Sequence, residues 1–306
     1  MDVWSVLGFI GLLWALRQAL DLLLYLWNRN KSLEPYKYGW AVVTGATDGI
    51  GKALSEALLT RGFKLVLISR SQSKLEAVRS EFTSRHPTAG KIDIIQADFT
   101  QGLRNPTEFY SRLGEQLKAY DVSVLVNNVG IMHWKGFENT EFSEIEELLA
   151  VNVLPQTYLT RLLLPTMIAR FTTTQRPSLI IDLSSNASHI PLPFLAVYGA
   201  TKTYNHYLTQ ALSAEGPPGV TFLSVMPGWV ATNMPKMNNF AAEAGMVNVD
   251  DMAKAVLGNI GQGWTGGHRT HQVLCWIMKF ALDNPVGRFI VRKTTHSMEA
   301  KRKKRG

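Results

Sequence analysis

The feature that most constrains this chain is a set of six short runs rich in Val, Ile and Leu: WAVVT (40–44), KLVLIS (64–69), IDIIQA (92–97), VSVLVN (122–127), SLIIDL (178–183) and VTFLSV (220–225). None alternates polar with apolar residues, so each is predicted to be a strand covered on both faces. Amphipathic stretches lie between them, with helix starts predicted near Ile50, Ser73, Pro106, Ser143, Leu195 and Asp250. Regular alternation of strand and helix predicts an α/β fold, a doubly wound parallel sheet of the Rossmann type with helices on both faces. The 306 residues, 46% of them hydrophobic, suffice for one such domain with a sizeable core. There is no internal repeat.

The first predicted strand runs straight into TGATDGIG, which carries Gly45, Thr47, Asp48, Gly49, Ile50 and Gly51, and then into a helix. Glycines at such a turn let the backbone approach a phosphate, whose charge is favoured by the free N–H groups and macrodipole at the helix N-terminus. Dinucleotide binding is the reading this placement supports, with a purely structural turn as the alternative. The second strand ends at Ser69 and Arg70 where an acidic residue would read a ribose hydroxyl. Arg70 is suited to a 2′-phosphate, which points to NADP or NADPH over NAD, unless it is a solvated loop cation. Further on, YGATK places Tyr198 and Lys202 four residues apart, on one face of a helix. An ammonium beside the phenol is expected to lower its pKa and make it a proton donor or acceptor at neutral pH.

These residues resemble the short-chain dehydrogenase/reductase family over residues 38 to 265. The glycine turn resembles its cofactor turn, NNVG (Asn127 to Gly130) its NNAG element with Val129 in place of Ala, and YGATK its YxxxK. Ser185 precedes Tyr198 by thirteen positions, Asn152 stands in LAVNVL, and PGWVATNM begins at Pro227. The resemblance implies catalytic roles for four residues. Tyr198 donates a proton while a nicotinamide delivers hydride to a carbonyl carbon. Lys202 lowers the tyrosine pKa and holds the nicotinamide ribose, Ser185 hydrogen-bonds the carbonyl, and Asn152 positions a water. The implied cofactor contacts are Gly45, Thr47, Asp48, Gly49, Ile50, Gly51, Arg70, Asp98, Asn127, Tyr198, Lys202, Pro227, Gly228, Val230 and Thr232. Asp98 would meet adenine, or else it is a loop acid or helix cap. Tyr204 and Tyr207 are expected to be packing residues.

Within the family, TGATDGIGKA, LISRSQSKL, LVNNVG and the two chain ends are most similar to membrane-bound 3-oxoacyl-CoA reductases of fatty acid elongation and to 17β-hydroxysteroid dehydrogenases. A lipid-like substrate follows, either a long-chain 3-oxoacyl-CoA or a ketosteroid, and a homodimer is an assembly the resemblance allows. An inactive cofactor-binding scaffold or an interaction protein using the basic end are rival classes. Asn152, Ser185, Tyr198 and Lys202 are all present, which favours the enzyme. Asn186 directly after the serine departs from the pattern, and Asn186, Ala187 and Ser188 spell a glycosylation sequon that a cytoplasmic body leaves unused.

The chain ends set the remaining expectations. Residues 1–30 form a hydrophobic anchor segment, 31–265 the NADP-binding domain, and 266–306 an apolar helix and basic tail. The first 27 residues are long enough to span a bilayer, but Arg17 and Asp21 fall inside them, so an interfacial or a soluble packing helix are alternatives. Arg29, Lys31 and Lys37 follow the segment, which places the body on the cytoplasmic side. The stretch QVLCWIMKFAL (272–282) is too short to span and suits an acyl entrance, a membrane surface or a core helix. The formal charge of +8 is concentrated in Lys301, Arg302, Lys303, Lys304 and Arg305, without which it falls to +3. With no nucleic-acid motif beside it, this run points away from nucleic acid. Lys303 and Lys304 resemble a dilysine retrieval signal, consistent with the endoplasmic reticulum membrane. The single cysteine, Cys275, excludes an intramolecular disulfide, and the seven histidines show no metal-ligand spacing, so no metal is expected.

Overall fold

Each of the six apolar runs is a strand in the computed structural model. In chain order they are β1 (Trp40–Thr44), β2 (Lys64–Ser69), β3 (Ile92–Gln96), β4 (Val122–Asn127), β5 (Ser178–Leu183) and β6 (Val220–Val225), and a short β7 (Trp264–Thr265) follows. The residues described are 2–27, 31–232, 246–282 and 284–305. Arg29, the Asn233 and Met234 that end the PGWVATNM stretch, and Gly306 lie outside them. All strand pairs are parallel, in the order β3-β2-β1-β4-β5-β6-β7. The order reverses between β1 and β4, where the crevice beyond the strand ends takes ligands in folds of this kind.

The absence of polar alternation is explained by two cores, one on each face of the sheet. Ala41, Val43, Leu65, Leu67, Val124 and Val126 point to one side, against Leu54, Leu58 and Phe82. Val42, Val66, Ile68 and Leu125 point to the other, against Tyr110, Leu113, Leu159 and Met167. At roughly 1.5–3 kcal/mol for each fully buried large side chain, these layers dominate the fold's stability.

The helices are α1 (Val3–Trp27), α2 (Gly49–Leu59), α3 (Gln72–Arg85), α4 (Pro106–Leu117), α5 (Phe142–Asn152), α6 (Leu154–Thr174), α7 (Ala196–Glu215), α8 (Val249–Leu257), α9 (Arg269–Ile277) and α10 (Pro285–Arg305). Their starts follow local chemistry. Asp48 caps α2, Ser71 caps α3, Asn105 caps α4 ahead of Pro106, and Glu141 with Glu144 forms a capping box on α5. One break was not foreseen: a single residue, Val153, separates α5 from α6. The basic run at the chain end is also helical, as α10 extends to Arg305.

The N-terminal segment forms α1, and Trp4, Leu7, Phe9, Ile10, Leu13, Leu16, Leu20 and Leu23 on it are exposed. Among the described residues no helix is long and apolar enough to cross a membrane.

Beneath the strand ends a polar strut crosses the core. Asp182 of β5, 1% exposed, accepts hydrogen bonds from Asn127 Nδ2 (2.8 Å) and Thr209 Oγ1 (2.7 Å). Burial lifts its carboxyl pKa from 3.8 to about 6 in spite of those two donors. Between these values the folded protein binds more protons than the unfolded chain, so this group's contribution to stability falls as pH rises from about 4 to about 6. At about 1.36 kcal/mol per unit, the loss is about 3 kcal/mol. Urea unfolding of wild type and Asp182→Asn across this window should show wild type losing that much more. Parallel stability curves would refute the buried-carboxyl account.

Candidate active site

The site begins at the turn after β1. Gly45 and Gly49 have φ of +64° and +54°, which L side chains rarely adopt. A Cβ on Gly51 would collide with the Gly45 carbonyl oxygen and the Asn128 amide. Asp48 Oδ1 accepts from the Gly49 N–H (2.7 Å) as the N-cap of α2. The result is a bare backbone cradle at a helix N-terminus, suited to a pyrophosphate. Thr232 closes one side, since a Cβ on Gly49 would stand 2.9 Å from its Cγ2. Thr47 Oγ1 lies 3.0 Å from Ser69 Oγ, which ties the turn to the end of β2. The exposed Arg70 follows directly, with its carbonyl accepting from Gln96 Nε2 at 3.0 Å.

Two consecutive asparagines at the end of β4 divide the work, because successive side chains on a strand point opposite ways. Asn127 turns into the core toward Asp182 and Thr160, so its side chain does not join the cofactor cradle. Asn128 turns to the cradle and donates to the carbonyls of Thr44 (2.9 Å) and Gly45 (3.2 Å). Thr44 Oγ1 in return accepts from the N–H groups of Asn128 (3.0 Å) and Val129 (3.1 Å). The sequence reading passed over Asn128 and Thr44, although the Asn-Asn pair at the end of a two-face-buried strand was a usable signal. Asp98 caps a short 3₁₀ segment, its Oδ1 accepting from Thr100 N (3.1 Å) and Thr100 Oγ1 (2.8 Å).

Tyr198, Lys202, Ser185 and Asn152 come together from three elements and are all buried. Helix α7 turns Tyr198, Thr201, Lys202, Asn205 and Thr209 inward. Tyr204 and Tyr207 fall on its other side and are exposed, 41% and 75%, which corrects the expectation that they are packing residues. Ser185 follows β5, its hydroxyl accepting from Ala187 N at 3.2 Å and donating to Asn186 Oδ1 at 3.5 Å. Ser184 Oγ donates to the Lys202 carbonyl (2.6 Å), locking α7 to the strand end. Asn152, at the end of α5, is engaged through its whole amide. Oδ1 accepts from Ile131 N (2.8 Å), while Nδ2 donates to Ile131 O (3.0 Å) and Thr201 Oγ1 (3.1 Å). Gly130 leaves the approach open, since a Cβ there would stand 3.1 Å from Lys202 Nζ and 3.3 Å from Asn152 Oδ1.

The electrostatics differ from the expectation. Lys202 Nζ donates to the Leu183 carbonyl (2.8 Å) and sits 5.9 Å from the centre of the Tyr198 ring. Burial lowers its pKa to about 8. Burial also holds the Tyr198 phenol above its ordinary value, and the opposing influence is the Ser185 hydroxyl. In this arrangement burial is the largest influence on the phenol.

Pro227, Gly228 and Val230 line the far side. The Pro227 carbonyl accepts from Asn186 N at 3.0 Å, which joins this loop to the segment after Ser185. A Cβ on Gly228 would stand 2.8 Å from the ring of His271, a buried residue brought from α9 that sequence reading did not connect to the site.

The short chain dehydrogenase family profile matches residues 39–242. The very-long-chain 3-oxoacyl-CoA reductase of Anas platyrhynchos is 34% identical over 98% of this chain and 95% of its own. A Caenorhabditis elegans protein provisionally named steroid dehydrogenase 1 is 34% identical over 85% of this chain and 82% of its own. Among solved structures, a short-chain dehydrogenase from Sphingobium yanoikuyae in complex with NADPH superposes with a TM-score of 0.62 at 26% identity, covering 71% of this chain and 82% of that one. A 3-ketoacyl-(acyl-carrier-protein) reductase from Brucella melitensis shares the fold, with a TM-score of 0.65 at 23% identity over 75% of this chain and 96% of that one. With the glycine cradle, the Ser-Tyr-Lys cluster and these relatives in agreement, the chain belongs to the short-chain dehydrogenase family and is an oxidoreductase.

Proposed function

We propose that the protein reduces a ketone on a lipid substrate with NADPH, and that the substrate is a long-chain 3-oxoacyl-CoA. The observation that carries the reductase reading is the burial of Ser185, Tyr198 and Lys202 in one cluster beyond the strand ends, with a backbone cradle on the neighbouring turn. The cradle of Gly45, Thr47, Asp48, Gly49, Ile50 and Gly51 would hold the pyrophosphate, and the exposed Arg70 at the end of β2 would read the 2′-phosphate. When bound, the nicotinamide supplies the hydride.

The protein supplies orientation and a proton. Ser185 Oγ holds the substrate carbonyl beside the Tyr198 hydroxyl, with both residues buried in the same cluster. The Tyr198 phenol, protonated at neutral pH, donates to the oxygen that gains charge as the carbonyl is reduced, and a cation beside it would make it a stronger acid. Lys202, buried and anchored on Leu183, offers its remaining N–H donors toward the nicotinamide ribose. Asn152 fixes the Ile131 loop against α7. That loop would hold the water that resupplies the proton. The acyl-CoA assignment draws on the Anas platyrhynchos relative and its coverage of nearly the whole chain. A 17-ketosteroid is the second reading, drawn from the Caenorhabditis elegans relative. The exposed apolar side chains of α1 support membrane association. The basic chain end supports the endoplasmic reticulum, with the body facing the cytoplasm.

Purified full-length protein should oxidise NADPH with a long-chain 3-oxoacyl-CoA, and Tyr198→Phe should lower kcat by roughly 100-fold or more while leaving NADPH binding intact. Turnover of 17-ketosteroids alone would move the assignment to the second reading, and near-normal turnover in the variant would defeat the mechanism.

Arg70→Ala should weaken NADPH by roughly 10- to 100-fold, the value of a charge-assisted hydrogen bond of about 1.5–3 kcal/mol, and hardly change NADH. Equal loss with both nucleotides in a fluorescence titration would remove Arg70 from the phosphate site.

For localisation, serine at both Lys303 and Lys304 should redistribute the protein away from the endoplasmic reticulum in fractionated cells. An unchanged distribution would discount the retrieval signal.

A further inference from the structure

Helix α10 returns across the substrate side of the site. Val291, Thr295 and Glu299, spaced by four, are buried and Met298 is half-buried, so this face is turned to the body, while Val286, Phe289 and Ile290 are exposed. Met298 packs against the cluster that holds Trp134, Leu148, Leu195 and the proposed proton donor Tyr198. Next to it the Trp134 indole N–H donates to Glu299 Oε2 at 2.9 Å. Trp134 is 9% exposed and Glu299 7%, so a carboxyl and an indole meet in a largely dry place. Three aromatic rings complete this wall. Trp134 lies 6.3 Å from Phe194, nearly parallel, and 6.3 Å from Trp229, while the His296 ring meets Phe194 edge-on at 5.0 Å.

Phe194 itself is strained. Its φ is +67°, a region that a bulky residue adopts only when its surroundings force it. The Lys135 N–H holds its carbonyl at 3.0 Å, and the ring is clamped between Trp134 and His296. Strained residues of this kind cluster at ligand clamps.

We propose that α10 is the roof of the substrate cleft and that the Trp134–Glu299 hydrogen bond is a latch that limits how bulky a ketone reaches Tyr198. The inference rests on the reductase reading for the identity of the site, and it adds residues that lie outside the family's sequence motifs. The wall is aromatic and aliphatic apart from the latch, so it takes an apolar chain or ring next to the carbonyl and rejects a charged one. Opening the latch costs the buried Trp134–Glu299 hydrogen bond, a cost that a bulky apolar substrate packed against Trp134, Phe194 and Met298 offsets. A small ketone makes no contact that would offset that cost and so gains nothing from opening the latch.

The test uses full-length protein saturated with NADPH and three variants: Trp134→Phe, Glu299→Leu and Glu299→Gln. The first two break the hydrogen bond, whereas the amide carbonyl of Gln still accepts it. Backbone amide exchange, read by mass spectrometry over residues 289–300, should rise about fivefold or more in Trp134→Phe and Glu299→Leu and stay near wild type in Glu299→Gln. In the same two variants, the ratio of kcat/KM for 3-oxohexadecanoyl-CoA to that for acetoacetyl-CoA should rise by about fivefold or more. Unchanged exchange, or equal effects on both substrates, overturns the latch. A wild-type protein that turns over no ketone would instead sink the reductase reading, and the exchange comparison would still decide the latch.

Discussion

The hydrogen bonds that join the end of β1 to the end of β4 are the constraint on which the rest of this site depends. Asn128 donates to two successive carbonyls of the glycine turn, and Thr44 accepts from two successive N–H groups beyond β4. Strands β1 and β4 are neighbours in the sheet but far apart in sequence, and the strand order reverses between them. A parallel sheet leaves its strand ends without partners, and a crevice opens where the order reverses. The reciprocal Thr44–Asn128 bonds satisfy the backbone there and fix the width of that crevice. Both the cradle for an anion and the approach to Lys202 are positioned from it.

The chemistry of the cluster follows from burial more than from charge pairing. Tyr198 and Lys202 are each desolvated, which favours their neutral forms and so raises the phenol's pKa and lowers the ammonium's. The tyrosine is held as a phenol, the form that donates a proton. Lys202 is held by a strand-end carbonyl. Below the cluster, Asp182 ties β5 to Asn127 and Thr209, so the strand that delivers Ser185 is braced by a carboxyl the chemistry itself never touches.

Local chemistry made much of this legible. The two-face-buried strands announced themselves because burial on both sides removes polar alternation, and the helix starts were readable because Asp48, Ser71, Asn105 and Pro106 have capping or initiating chemistry of their own. Strand β7 was missed because two residues carry no period. Tyr204 and Tyr207 were misplaced because an aromatic residue on a helix carries no label for the side it faces, and the direction was set by Tyr198 and Lys202 turning inward.

The sequence by itself determined the parallel α/β architecture and the glycine turn, because these depend on periodicity and local chemistry, and the Tyr198–Lys202 pair, because that depends on spacing within one helix, while Ser185 was legible only through its resemblance to a family motif. Only the tertiary structure decided how those groups are electrostatically poised, that Asn128 rather than Asn127 serves the turn, and that Glu299 from the far end of the chain meets Trp134. Those facts depend on which surfaces come together in three dimensions, and a contact spanning 165 residues leaves no local trace in either partner.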